Sequence, residues 1–129
     1  MRLAFLWGPV ILVMALIFSA SAKSDLGAPP GGMSDKAAHV IAYAALGASL
    51  IRALAGGRAS AMTGRRIAVA TLIAVLYGAS DEIHQMFVRN RSPELLDLVA
   101  DACGGFGGAV LLAAAARVVQ AIAPSRKAS

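Results

Sequence analysis

Four long apolar runs, separated by short polar stretches, account for most of the chain. The runs cover about 3–22, 35–55, 67–88 and 95–122. Each is close to or above the roughly 20 residues that an α-helix needs to cross a bilayer. Within a run the apolar residues do not recur as a stripe of period 3.6. They occur nearly all round, as expected of helices whose outer surface meets lipid. Length and polar punctuation therefore place the helices where periodicity does not. Ser34 stands where an N-cap would open the second run. The connections read as loops: "KSDLGAPPGGMS" carries Gly and Pro, "GGRASAMTGRR" and "RNRSPE" carry Gly, Pro and arginines, and "PSRKAS" follows Pro124 as a polar tail.

Composition points the same way. Hydrophobic residues make up 58% of the chain and charged residues 15%, with a mean hydropathy of +0.70. An ordinary soluble domain has a more polar composition. The expected fold is all-α: one integral membrane domain over 1–129, built as a bundle of four transmembrane helices. The first run has a second reading, because Arg2, the apolar stretch and "ASA" at 20–22 also resemble a secretory signal with its cleavage site. The length of the run favours a retained helix. Cys103 is the sole cysteine, so no internal disulfide can form; its apolar, Gly-rich setting predicts a buried, inert thiol.

Charge gives the bundle a direction. The net charge is +5, but the basic residues punctuate apolar runs, which argues for membrane topology and against a nucleic-acid partner. With four spans, Arg2, Arg52, Arg58, Arg65, Arg66, Arg117, Arg126 and Lys127 fall on one side; Lys23, Lys36, Arg89 and Arg91 fall on the other. Basic residues concentrate on the cytoplasmic side of membrane proteins, so both termini are expected there. The acids are more one-sided still. Asp25, Asp35, Asp81, Glu82, Glu94, Asp97 and Asp101 all belong to the outer half, with His39 and His84.

Helical spacing gathers these residues into faces. Asp35, His39 and Tyr43 are four apart on the second run, as are Tyr77, Asp81 and Gln85 on the third and Asp97 and Asp101 on the fourth. Gly104, Gly105 and Gly108 continue the acidic face of the fourth helix; the Gly104/Gly108 pair forms a small-xxx-small motif that lets helices approach closely, so this face is expected to point inward, and the same pair also offers a face for oligomers. A helix ending near Val88 puts Asp81 roughly 10 Å below the outer boundary at 1.5 Å per residue, a depth similar to that of Asp101. Charges at that depth belong in a bundle interior with partners, and intramembrane ionisable groups in this density signal a functional site. Lys36, Arg89 and Arg91 are the expected cations; Glu94 and Asp25 read as solvated loop charges.

The ordered set "DKAAHVIAYAALG" and "YGASDEIHQMFVRNRSPELLDLVADACGGFGG" resembles the VanZ-like family of small bacterial membrane proteins, over roughly 34–110. The positions matching its motifs are Asp35, Lys36, His39 and Tyr43; Asp81, Glu82 and Gln85; and Arg91, Ser92, Asp97 and Asp101. Asp101 stands where many members have Asn, and Arg89 where many have Pro. The resemblance implies the bacterial inner membrane and, through the family's namesake, an association with resistance to the glycopeptide teicoplanin. Resistance does not transfer to this chain from resemblance alone.

Two function classes follow. In the first, the protein binds or acts on a cell-envelope lipid or lipid-linked head group. Asp81, Glu82 and His39 are then candidate catalytic groups, and Asp35, Lys36, Tyr43, Gln85, Arg91, Ser92, Asp97 and Asp101 candidate substrate-binding groups. A divalent metal is a candidate cofactor for phosphate recognition. In the second, a non-catalytic membrane protein alters envelope properties or glycopeptide susceptibility through binding or assembly. A channel is disfavoured, because the inner halves of the helices carry no polar path beyond terminal arginines.

Overall fold

The computed structural model describes residues 1–24 and 30–123; Asp25, Pro124, Arg126 and Lys127, named above, lie outside them. Among the described residues there are four long helices: α1 (Arg2–Ser21), α2 (Asp35–Leu54), α3 (Gly64–Gln85) and α4 (Leu95–Ile122). Short 3-10 turns at Pro30–Gly32 and Ala59–Ala61 lie in the first two connections. All four helices are long and apolar enough to cross a membrane.

Local chemistry fixes most of the boundaries. Ser34 caps α2, its side chain accepting the backbone N–H of Ala37 at 3.1 Å. α2 ends in a Schellman motif, with Gly57 N–H donating to Arg52 O and Gly56 N–H to Ala53 O. Gly56, at φ 61°, supplies the left-handed residue this stop requires. α3 departs from expectation by one turn at each end. Thr63 caps it through Arg66 N–H, so the helix begins at Gly64 instead of near 67. It ends at Gln85, and the chain reaches Val88 through tighter i to i+3 bonds from Met86, Phe87 and Val88. Asp81 consequently lies one turn from its helix end, about 6 Å at the rise of an α-helix, shallower than its sequence position suggested.

α2 is the central helix, and its contact with α4 is the most extensive in the bundle. The two backbones meet where side chains are missing. A Cβ added at Gly104 would collide with the Val40 backbone, at Gly108 with Ala44, and at Gly47 with Gly105. The Gly104/Gly108 face is thus filled by α2 of the same chain, so the close approach its small residues permit is used within the bundle, on the inward face expected for this helix. α3 closes on α4 through equally small groups, with Ala74 against Gly105. Tyr43, Leu46, Leu50 and Ile51 of α2 and Ala70, Ala74, Ala109 and Ala113 of its neighbours form the buried interior.

α1 packs mainly on α2 and only lightly on α3. Val10 and Ile17 join the core, and the Arg52 guanidinium donates to Phe5 O at 3.0 Å while lying over the Phe5 ring. Tyr77 Oη donates to Met14 O at 2.6 Å. The outward surface is apolar, with Ile11, Leu16, Leu72, Leu76, Phe106 and Leu111 exposed. In water such a surface would drive aggregation; in a bilayer it is the surface that meets hydrocarbon. Cys103 sits on that exposed surface. The expectation of a buried thiol is therefore corrected: the neighbouring glycines face α2 while Cys103 points away from it.

The glycine contacts differ sharply between adjacent positions. Gly108→Ala is expected to destabilise the bundle by about 1–3 kcal/mol, the range for overpacking. Gly107→Ala, where an added Cβ meets nothing within 4 Å, is expected to be neutral or mildly stabilising. Thermal denaturation of the two variants in the same detergent, followed by circular dichroism, checks the contrast.

Candidate functional site

The N-terminal ends of α2 and α4 and the C-terminal end of α3 meet at one end of the bundle, and the charged residues meet there with them. His39 of α2 lies against Asp101 of α4, with Nδ1 and Oδ1 2.8 Å apart, while His39 Nε2 lies 3.9 Å from Asp97 Oδ2. Lys36 Nζ sits 2.5 Å from both Glu94 Oε2 and Asp97 Oδ1. The first is a hydrogen-bonded ion pair; the second is a charge contact whose alignment gives Asp97 Oδ1 no hydrogen bond. On α3, Gln85 Nε2 donates to Asp81 Oδ2 at 3.3 Å, and Glu82 Oε2 accepts the Glu94 N–H at 2.8 Å. Glu82 thereby pins the α3–α4 connection just before α4 begins.

The fold places these groups at very different depths. Asp81, Glu82, Gln85, Asp97 and Asp101 are buried, Lys36, His39 and Arg91 are half-buried, and Asp35 is exposed. Burial of so many carboxylates requires room as well as partners. Gly78 provides part of it: a Cβ there would press on the Asp101 carboxylate at 2.6 Å. Several buried polar atoms have no hydrogen-bond partner among the described residues, among them Ser21 Oγ, Tyr43 Oη, Asp81 Oδ1, Glu82 Oε1, Asp97 Oδ1 and Asp101 Oδ2. Buried polar atoms are ordinarily paired with protein or ordered solvent, so unpaired ones in a cluster mark where solvent, ions or ligand atoms belong.

A cavity of about 110 Å³ opens beside this network, between α1, α2 and α3. Its apolar wall comes from Ile17 and Ala20 of α1 and Ala38 and Ala42 of α2. Its polar wall comes from Asp35, His39, Tyr43, Asp81, Gln85 and Arg91, with Ser21 at the end of α1. The Tyr43 ring lies parallel to His39, with centroids 6.3 Å apart.

The candidate residues therefore divide. His39, Asp81, Asp35, Tyr43, Gln85 and Arg91 line the cavity. Lys36, Glu82, Asp97 and Asp101 form a network behind His39. Ser92 is exposed and is not among the cavity-lining residues. Of the expected cations, Lys36 is the one paired with acids; Arg91 Nε donates to Lys23 O at 3.2 Å, and among the described residues neither Arg89 nor Arg91 forms an ion pair. Glu94 is solvated, as a loop charge should be, yet it also pairs with Lys36. Ser21, Lys23 and Gly78 were not legible as site residues. Ser21 closes the apolar run of α1 and Lys23 lies just beyond it, where no spacing rule links them to α3. Gly78 did leave a signal, because it is four residues before Glu82 and so shares its face.

The VanZ/LLP1 family profile matches residues 7–117, a span that begins in α1 and includes the whole of this charged network. The chain belongs to the VanZ/LLP1 family. It is accordingly a multi-pass membrane protein of that family, with four helices able to span the bilayer. No curated protein and no solved structure matches the chain.

Chemically, this VanZ/LLP1 arrangement can do two things. A carboxylate against one nitrogen of an imidazole fixes the ring and its tautomer, leaving the other nitrogen to exchange a proton or bind a ligand. The cavity beside it offers a guanidinium and an apolar wall together, which suits an amphipathic molecule. Lys36 keeps the buried Asp97 compensated. Lys36→Met should destabilise the protein by about 1–3 kcal/mol, the range for a buried polar group left unsatisfied. Adding Asp97→Asn should recover part of the loss. A double-mutant cycle from thermal melts checks this, and strictly additive losses would show that the two residues are not coupled.

Proposed function

We propose that this VanZ/LLP1 protein binds the anionic head group of a cell-envelope lipid at the outer-leaflet end of the bundle. The observation that supports it most is the composition of the cavity: Arg91 and His39 stand opposite an apolar wall supplied by α1. A head group carrying phosphate would take charge-assisted hydrogen bonds from Arg91, while its first carbons would lie along Ile17 and Ala20. The Arg91 side chain is free of acidic partners among the described residues, so its charge is available to such a ligand.

Orientation supports the outer leaflet. The opposite end of the bundle carries Arg2, Arg52, Arg58, Arg65, Arg66 and Arg117, whereas the acidic end carries Lys23, Lys36, Arg89 and Arg91. This bias favours a cytoplasmic basic end in the inner membrane, with the cavity facing outward. If the bound lipid is also turned over, His39 and Asp81 are the cavity groups able to move a proton, with Asp101 as the residue that positions His39. Glu82 reaches the reaction only indirectly, because it lies behind His39 and bonds to the backbone of Glu94.

The test is lipid binding by the full chain. Native mass spectrometry or nanodisc titration would compare a polyprenyl phosphate with a neutral lipid of similar chain length. Arg91→Ala should weaken binding of the phosphate lipid by about tenfold or more, as expected for loss of a charge-assisted hydrogen bond worth about 1.5–3 kcal/mol. Binding of the neutral lipid should barely change. Equal phosphate-lipid affinity in wild type and Arg91→Ala would refute the reading.

A further inference from the structure

The carboxylates behind His39 are not all explained by a lipid cavity. Asp101 is 1% exposed and Glu82 8% exposed. Each has one oxygen already engaged: Asp101 Oδ1 with His39 Nδ1, and Glu82 Oε2 with the Glu94 N–H. Each also has a second oxygen, Asp101 Oδ2 and Glu82 Oε1, that is buried and has no hydrogen-bond partner among the described residues. Lys36 does not serve them, because it is held by Glu94 and Asp97. His39, Glu82 and Asp101 present one ligand atom each within 4.8 Å of one another, and they come from three different helices.

We propose that His39, Glu82 and Asp101 form a binding site for one divalent transition-metal ion, of the Mn²⁺ or Zn²⁺ class. One imidazole nitrogen and two carboxylates suit such an ion better than Ca²⁺ or Mg²⁺, which favour all-oxygen surroundings. The 2.8 Å between His39 Nδ1 and Asp101 Oδ1 is close to the separation of two adjacent ligands each about 2.1 Å from one ion. The ion replaces the proton held between those atoms, and that proton is released. Its two positive charges balance the carboxylates of Glu82 and Asp101. Three protein ligands leave coordination positions open, and His39 is shared between this trio and the cavity wall. The site thus deepens the lipid reading, on which it rests only for its purpose: an ion here would supply the positive charge that a phosphate head group needs beside Arg91.

The full chain in nanodiscs of neutral phosphatidylcholine, stripped with EDTA, would be titrated with Mn²⁺ and followed by electron paramagnetic resonance. One saturable ion per chain is expected, with a nitrogen coupling from imidazole that Asp101→Asn retains and His39→Gln abolishes. Glu82→Gln and Asp101→Asn should each raise the Kd about tenfold or more, with folding checked by thermal melts. Non-saturable binding equal to that of empty nanodiscs, bound Mn²⁺ without nitrogen coupling, or unchanged affinity in both carboxylate variants would each overturn the site. Should the variants fail to fold, stoichiometry and nitrogen coupling in the wild-type chain still decide. Arg91-dependent lipid binding that persists in EDTA alongside any of these failures would remove the metal and leave the lipid reading standing. Saturable, nitrogen-coupled Mn²⁺ without Arg91-dependent lipid binding would do the reverse.

Discussion

The near-contact of the α2 and α4 backbones is the constraint on which the rest of the structure depends. It is possible because Gly47 on one helix and Gly104, Gly105 and Gly108 on the other leave no side chains between them. In lipid there is little hydrophobic gain from bringing two apolar helices together, so close packing and polar contacts must hold them. Once the backbones touch at the glycines, the charged turns beyond them are brought into register. His39 then reaches Asp101, and Lys36 reaches Asp97 and Glu94. The glycines set the distance, and the charges set the rotation and the sliding position.

The polar end illustrates the economy of a membrane interior. A buried charge without a partner is costly there, and each carboxylate has at least one engaged oxygen or a nearby cation. The partnering is incomplete, however. Tyr43 Oη and single oxygens of Asp81, Glu82 and Asp101 are unpaired among the described residues, and all lie within the same region. A purely structural polar cluster would be expected to satisfy its members mutually. The remaining capacity, beside a cavity with a guanidinium on its wall, supports the proposal of ligand binding over helix adhesion alone.

α1 has a different relation to the rest. It contributes Val10 and Ile17 to the core and closes one side of the cavity, but its contact with α3 is slight. Two polar ties hold it, Arg52 to Phe5 O near its start and Tyr77 to Met14 O further along. Phe18 stacks on His84 at 4.5 Å near its end. The cavity wall made by Ile17 and Ala20 therefore belongs to the helix least embedded in the bundle.

The sequence alone determined the class of the protein and the grouping of its charges. Four apolar runs of bilayer length dictate four helices, and helical periodicity places Asp35 with His39, Asp81 with Gln85 and Asp97 with Asp101 on common faces. Ser34 could be read as a cap because its chemistry is local. The ends of α3 could not be read in the same way: the apolar run takes in Met86, Phe87 and Val88 and leaves out Gly64, Arg65 and Arg66, whereas the helix is set by a cap at Thr63 and a tightened turn after Gln85. Tertiary structure decided which faces meet. It seated the Gly104/Gly108 motif on α2, left Cys103 on the outer surface, gave Arg91 no ion pair among the described residues and paired Glu94 with Lys36. These outcomes depend on the relative rotation of helices that are apolar nearly all round, and a chain solvated by lipid carries no hydrophobic stripe to reveal that rotation in advance.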